Sequence, residues 1–334
     1  MRVLVLGGSQ FVGRHVVQIA LDRGHDVTTF NRGKTNPGLF PDVEELHGDR
    51  DGDLGALESG EWDVLIDVSG YIPRHVRESS ELLADRVGHG VFVSTISVYH
   101  EPHDHGLDED APLAQLDDPS VEEVGGGTYG GLKVLCEQAF RDAFDGRAAV
   151  VRPGLIVGPH DHTGRFTYWP ERLARGGEVL GPGAPTRRVQ FIDVRDLAAF
   201  LLHCGEAAVT GTFNGTGPAA DLTFGAFLTA AGAALDATMT VTWVDDDVLL
   251  SEGVAPFTGV PLWLPATAPT GMLAVSVKRA LDHGLVIRPL ADSLRDTLAW
   301  VQGAREDGSY TTPADVGLTP QREADLLASA RAGR

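Results

Sequence analysis

MRVLVLGGSQFVGRHVVQIALDRG (Met1–Gly24) carries three instructions in order. Arg2–Leu6 is a near-continuous apolar run, the pattern of a strand buried on both faces. Phe11, Val12, Val16, Val17, Ala20 and Leu21 then recur at helical spacing. Between the two lies Gly7-Gly8-Ser9-Gln10-Phe11-Val12-Gly13. Glycine lets the backbone turn tightly and come close to a bound group. The helix N-terminus that follows offers unpaired N–H groups and the positive end of its dipole. A strand, a glycine turn and a helix in this order form the binding pattern for a dinucleotide pyrophosphate. Gly7 and Gly13 fit a G-x-x-G-x-x-G form, but Gln10 stands at its middle. The Gln10 side chain must point away from a diphosphate or touch it.

The same alternation continues along the chain. Asp26–Phe30, Val43–His47, Asp63–Asp67 (DVLID), Gly90–Ser94 (GVFVS) and Ala148–Arg152 (AAVVR) are short β-rich runs. Helical patterns occupy Pro73–Arg86, opened by proline, and Thr128–Phe144. Apolar strands that alternate with helices belong to a parallel sheet covered on both faces. The expected fold class is therefore α/β: a Rossmann-type, doubly wound parallel sheet with a smaller C-terminal α+β substrate domain. Residues 1–156 with about 190–206 are expected to form the dinucleotide-binding unit, Phe191–Cys204 returning to the sheet as strand and helix. Residues 157–189 with 207–302 are expected to form the substrate unit. Within it Gly154–Pro185 reads as mostly loop and short helix, and Val241–Val244 as a strand. Residues 303–334 read as a polar tail with a final helix.

At 334 residues, 43% apolar and 22% charged, the composition is that of a soluble globular protein. Two cysteines, Cys136 and Cys204, supply neither a disulfide framework nor a metal cage, which fits a reducing cytoplasm. No apolar stretch reaches the roughly 18 residues of a membrane span, and the opening run is too short and glycine-broken for a secretory signal. The net charge of −20 repels a phosphate backbone, and no run of Lys or Arg overrides it. No nucleic-acid partner is expected.

The end of the second strand bears on the cofactor. A carboxylate there would accept hydrogen bonds from the ribose of NAD. This chain instead has Asn31-Arg32-Gly33-Lys34. A guanidinium suits a 2′-phosphate by its planar fork and permanent charge. NADP(H) is favoured, with NAD(H) the alternative. In HGDRDGDL (His47–Leu54), Asp49 is placed to accept from the adenine amine, and Arg50 beside it joins the cofactor candidates.

In TYGGLKVLCEQAF (Thr128–Phe140), Tyr129 and Lys133 stand four residues apart at the start of a helical pattern, so both share one face. A free phenol titrates near pH ~10. An ammonium beside it favours the phenolate and lowers that value. The pair is a candidate general acid/base.

With the glycine turn, VSTISVYH (Val93–His100) and YGGLK resemble the extended short-chain dehydrogenase/reductase superfamily, in its NAD-dependent epimerase/dehydratase-like branch. RPGLIVGP (Arg152–Pro159) and FIDVRDLA (Phe191–Ala198) are similar to that family's later landmarks, so the likeness covers about residues 1–300. The non-glycine middle of the turn and FNRG at the second strand resemble an atypical subgroup. That subgroup includes chloroplast stem-loop RNA-binding proteins as well as reductases. The resemblance implies that Tyr129 is the catalytic acid/base and that Lys133 tunes its pKa and holds the nicotinamide ribose. Thr95 matches the family's catalytic Ser/Thr, which hydrogen-bonds the reacting oxygen, and Ser94 is the alternative. Ser69 and Gly70 would pass the cofactor's ribose and pyrophosphate; Pro153, Gly154 and Leu155 would border the nicotinamide. Two departures matter. Where sugar-nucleotide dehydratases carry an acid pair, this chain has Ile96 and Ser97, which argues against that elimination. Where many sugar-nucleotide epimerases place a diphosphate-gripping arginine, it has Val189, with Arg187 and Arg188 just upstream.

Other candidates surround these. His160-Asp161-His162 and Arg165 follow RPGLIVGP, where substrate should enter, and Tyr71 follows Ser69-Gly70. His160, Arg165, Tyr71, Ser97 and Thr95 are the substrate candidates. Phe166, Tyr168 and Trp169 line a pocket or pack a core, packing being the reading for Trp169. His100, His103 and His105 flank Asp104, but no cysteine joins them, and no metal is expected. The expected function is NAD(P)-dependent hydride transfer between nicotinamide C4 and a secondary alcohol or ketone of a small molecule. The alternatives are a sugar-nucleotide-type epimerase with retained cofactor and a non-catalytic RNA-binding member. Family habit implies a homodimer.

Overall fold

In the computed structural model, which describes residues 1–100 and 106–332, Arg2–Leu6 forms β1. Val3 and Val5 enter one hydrophobic cluster and Leu4 and Leu6 another, because successive strand side chains face opposite ways. All four are buried, which is worth about 1.5–3 kcal/mol each. The chain continues through β2 (Asp26–Asn31), β3 (Glu44–His47), β4 (Trp62–Asp67), β5 (Val87–Val93) and β6 (Ala148–Pro153). The short strands β7 (Leu155–Val157), β8 (Gly177–Pro182) and β9 (Phe191–Asp193) follow, before β10 (Gly211–Gly215). The central sheet has seven strands in the order β10-β6-β5-β4-β1-β2-β3, every neighbouring pair parallel.

Helices cover both faces of the sheet. α1 (Phe11–Asp22) packs Val16, Val17 and Ala20 on the Val3 side. α2 (Pro73–Leu83) packs Val76 and Leu83, and α3 (Tyr129–Phe144) packs Cys136, Phe140 and Phe144, on the Leu4 side. α2 opens with Pro73, whose missing N–H costs nothing in a first turn. A second core collects Phe166 and the buried residues of α4 (Tyr168–Ala174) and α6 (Phe224–Ala234), with Trp169, Phe224, Phe227 and Trp263. α5 (Val194–Glu206) returns to the Val3 side through Leu197, Ala198 and Leu201.

Three elements differ from the sequence reading. β10, left outside the dinucleotide unit, pairs with β6 at the sheet edge. β9 pairs with β7 rather than joining the large sheet, while α5 does return to it. β8 lies in a segment read as loop. Its glycines and Pro182 carry turn signals, but it pairs in parallel with β11 (Met239–Val244). Gly181 is needed there, since a Cβ would lie 2.7 Å from Trp243 Cε3. The strand order reverses between β1 and β4, and such a reversal leaves a crevice at the C-terminal strand ends.

Candidate active site

A cleft of about 850 Å³ opens at those strand ends. One end is the glycine turn. Gly7 and Gly8 have φ of +114° and +100°, which L side chains rarely adopt. A Cβ on Gly13 would lie 2.6 Å from the Gly8 nitrogen, so α1 and the turn touch backbone to backbone. Gln10 is the N-cap of α1 but makes no side-chain cap bond, and the first turn holds no acidic residue. The first-turn N–H groups, which no helical carbonyl reaches, are thus free for an anion. Ser9, Gln10, Phe11 and Val12 line the cleft beside them. This donor set fits a dinucleotide diphosphate.

Arg32 and Lys34 stand exposed on the cleft wall, and neither has an acidic partner among the described residues. Asn31 shapes their turn: its Nδ2 donates to Glu45 Oε1 at 2.8 Å, and its Oδ1 accepts from the Gly33 N–H at 2.7 Å. Asn36 Nδ2 donates to the Ser9 carbonyl at 2.8 Å and folds this loop onto the glycine turn. Asp49 also lines the cleft and accepts from the Asp51 N–H. Arg50 lines it too, but its charge is already spent. Nη1 donates to Asp67 Oδ1 and Nη2 to Ser79 Oγ, both at 2.7 Å. Ser69 borders the cleft and ties the ends of β1 and β4 together, donating from Oγ to the Leu6 carbonyl and from N–H to Asp67 Oδ1.

Tyr129, Lys133, Thr95 and Ser97 meet on the opposite stretch of wall, next to Pro153, Gly154 and Leu155. Lys133 is buried. Its Nζ donates to the Gly70 carbonyl at 2.6 Å and the Val93 carbonyl at 2.8 Å, and lies 4.3 Å from the Phe92 ring centre. Burial pulls the ammonium down to about 8. The Tyr129 phenol is pushed up, by burial first and then by Tyr71, while a hydrogen bond with Thr95 offsets part of this. The expected lowering of Tyr129 by Lys133 is not found. The lysine is held by the Gly70 and Val93 carbonyls, and burial dominates the phenol. Thr95 Oγ1 accepts from the Ser97 N–H at 3.1 Å and donates to Ser97 Oγ at 3.2 Å.

One expected site residue lines the cleft with its hydroxyl already engaged, and two lie outside the lining. Ser94 Oγ donates at 2.6 Å to Glu137, which is locked to Arg152 by two contacts of 2.8 Å in the interior. Ser94 still borders the cleft, but this bond engages its hydroxyl. Gly70 is not on the wall; its carbonyl holds Lys133, and a Cβ would press on Phe92. His160 is also outside the cleft, with φ +67°, packed between His15 and Trp300 at ring-centre distances of 5.7 and 5.3 Å. Burial, with Arg14 and His15, pulls it down to about 4.

At the far end of the cleft Arg165 and Tyr71 join His162, Thr163, Phe257 and Met272. The sequence reading singled out the segment holding His162 and Thr163. Phe257 and Met272 belong to no motif and arrive only through folding of the distant chain. Neither upstream arginine reaches this site. Arg187 is bidentate to Asp246 at 2.9 and 2.8 Å, and Arg188 pairs with Asp221 at 2.6 Å beside a different cavity. His103, Asp104 and His105 lie outside the described residues. Among the described residues no group of three His, Cys, Asp or Glu could hold a metal, and no helix is long and apolar enough to cross a membrane.

The chain is similar to known proteins. The model of the NAD dependent epimerase/dehydratase family matches residues 80–214. The bovine (Bos taurus) epimerase family protein SDR39U1 is 28% identical over 252 residues, covering 70% of this chain and 81% of that protein. The 2-alkyl-3-oxoalkanoate reductase of Stenotrophomonas maltophilia is 28% identical over 224 residues, 60% of this chain and 64% of its own. The crystal structure of human SDR39U1 (isoform 2) with NADPH has the same fold, with a TM-score of 0.61 at 24% identity over 90% of this chain and 99% of that one. The family model, these relatives and the shared fold support an extended short-chain dehydrogenase/reductase of the epimerase/dehydratase-like branch, and with it a general NAD(P)-dependent oxidoreductase or epimerase.

Proposed function

We propose that the protein is a reductase that moves hydride between nicotinamide C4 and a ketone or secondary alcohol of a small molecule, with NADP(H) favoured over NAD(H). The observation that carries this reading is the meeting of Tyr129, Thr95 and Lys133 in the same cleft as the glycine turn. The cofactor supplies or receives the hydride. The Gly7–Gly13 turn would hold its diphosphate, Arg32 and Lys34 its 2′-phosphate, and Pro153–Leu155 would border its nicotinamide. The raised pKa of Tyr129 supports a general acid, since the phenol keeps its proton at neutral pH and can yield it to a carbonyl oxygen gaining charge. Thr95 orients that oxygen. Lys133 has three donors and spends two on carbonyls, leaving one for the ribose hydroxyls. Residues 157–189 and 216–302 form the proposed substrate unit, contributing His162, Arg165, Phe257 and Met272 to the wall.

The sugar-nucleotide epimerase reading is weaker because Arg187 and Arg188 are both engaged away from the cleft. RNA binding is disfavoured by the charge of −20. The test starts by denaturing the purified protein and identifying any released nucleotide. Near-stoichiometric NAD⁺ would favour a retained-cofactor epimerase. No retained nucleotide, and tighter titration with NADPH than NADH, supports the reductase. Tyr129→Phe should then lower turnover of a reducible ketone by about 10²–10⁴-fold, with NADPH affinity within a few-fold. Undiminished turnover would remove Tyr129 from the mechanism.

A further inference from the structure

Arg165 is a cation of the cleft that hydride transfer does not use. It stands half-buried on the wall with Tyr129, Thr95 and Ser97. Its Nε donates to Thr163 Oγ1 at 3.3 Å, and that hydroxyl donates to Asp161 Oδ1 at 2.6 Å. The Thr163 N–H donates to the same oxygen at 2.8 Å. Asp161 is fully buried, so this relay is anchored in the interior and fixes the guanidinium at one edge. The two terminal nitrogens, with four N–H donors, have no carboxylate partner among the described residues.

The chain has 47 acidic and 27 basic residues, and many of its arginines carry an ion pair. Among them Arg172 pairs with Glu323, Arg187 with Asp246, Arg195 with Asp193 and Arg305 with Glu171. One side of the Arg165 head group is aromatic. The guanidinium carbon is 5.9 Å from the Phe257 ring centre, and Phe257 has φ +66°. A left-handed aromatic residue is strained, and such strain concentrates at ligand-binding positions.

We propose that Arg165, aimed by the positioning residues Thr163 and Asp161, binds a carboxylate of the substrate. The substrate is then a small oxo acid, or its hydroxy acid, with its reacting carbon at Tyr129 and Thr95 and its apolar part against Phe257 and Met272. This rests on the reductase reading above. A carboxylate matches the planar fork and carries one charge for one cation. A phosphate dianion would leave a charge uncompensated beside that aromatic ring. Arg165 also pulls the Tyr129 phenol down, against burial. A bound carboxylate offsets that pull and keeps the phenol protonated until it is needed.

The test separates binding from turnover. Straight-chain carboxylates from butanoate to decanoate, and the matching primary amides, are titrated calorimetrically into the protein with and without NADP⁺. At the best chain length the carboxylate should bind about 10–100-fold tighter than its amide, the span of a charge-assisted hydrogen bond. Arg165→Met should bring that ratio close to one, and Arg165→Lys should keep part of it. Thr163→Val should lower the ratio and Thr163→Ser should restore it, which a merely structural Thr163 would not do. A wild-type ratio near one at every length, or a ratio that survives Arg165→Met, overturns the proposal. Tyr129→Phe should keep the ratio while losing turnover. A clear ratio in a protein that reduces no oxo acid would sink the reductase reading and leave the carboxylate site standing.

Discussion

The two ends of the cleft are made in different ways. The proposed nucleotide end is built around one contiguous stretch, Gly7–Gly13, and works mainly through backbone: N–H groups, two left-handed glycines and a helix packed against its own turn. The substrate end gathers Tyr71, Arg165, Phe257 and Met272 from remote parts of the chain and works through side chains. A backbone site tolerates no added volume, because nothing in it can rotate away. A side-chain site tolerates changes of size but not of charge. On the proposed reading, one end holds an unvarying ligand on the sheet, while loops over the other set which substrate is taken.

The sharpest way to break this comparison is to add one methyl group at the backbone end. Gly13→Ala places a Cβ against the Gly8 nitrogen and Cα, at 2.6 and 2.9 Å, so the turn itself must move. Overpacking of this kind costs about 1–3 kcal/mol. The dissociation constant for NADPH, followed by its fluorescence, should rise about 10–100-fold. Unchanged NADPH binding would mean that the diphosphate does not sit on this turn.

The same contrast explains what the sequence could tell. β1, the turn and α1 were legible because strand, glycine and helical signals lie within one short stretch. Tyr129 and Lys133 were legible as a pair because helix spacing alone puts them on one face. Their depth was not. Burial moves the phenol up and the ammonium down, and spacing carries no information about burial. Which hydroxyl of Ser94 and Thr95 is engaged away from the cleft is decided by Glu137, a residue of another element that holds Ser94. β8 was hidden because its partner, β11, lies some sixty residues on and its own glycines and proline read as turn. Phe257 and Met272 have no local signature at all.

A smaller effect sharpens the difference within the nucleotide end. Arg32 and Lys34 are its side-chain component, exposed and without acidic partners among the described residues. Arg32→Ser should lower the preference for NADPH over NADH about tenfold. That is less than a full charge-assisted bond, because the site is solvated and Lys34 remains. Parallel titrations with the two cofactors measure it. A preference for NADH in the wild-type protein would assign these cations to the surface instead.

The smallest expected effect comes from Lys133, where the two ends meet, and its sign distinguishes catalysis from unfolding. Burial holds this ammonium at about 8, against 10.5 for a free lysine. Above pH 8 the folded protein has released a proton that the unfolded chain still binds, so this group makes stability rise with pH. Cys136 and Cys204 act oppositely: burial raises both from 9.0 to about 12, so unfolded thiols ionise first and stability falls with pH beyond 9. Between pH 8 and 9 the unfolded thiols go from about a tenth to half ionised, so they offset much of the Lys133 contribution, and the net rise is small. In that window carbonyl reduction should fall about fivefold as the ammonium is lost, while the melting temperature gains from the same deprotonation. Lys133→Met should remove that gain, leaving a flatter or falling melting profile. A wild-type rate that holds steady from pH 8 to 9 would show that the charge on Lys133 does not serve the reaction, and that its two carbonyl bonds only tie α3 to the ends of β4 and β5.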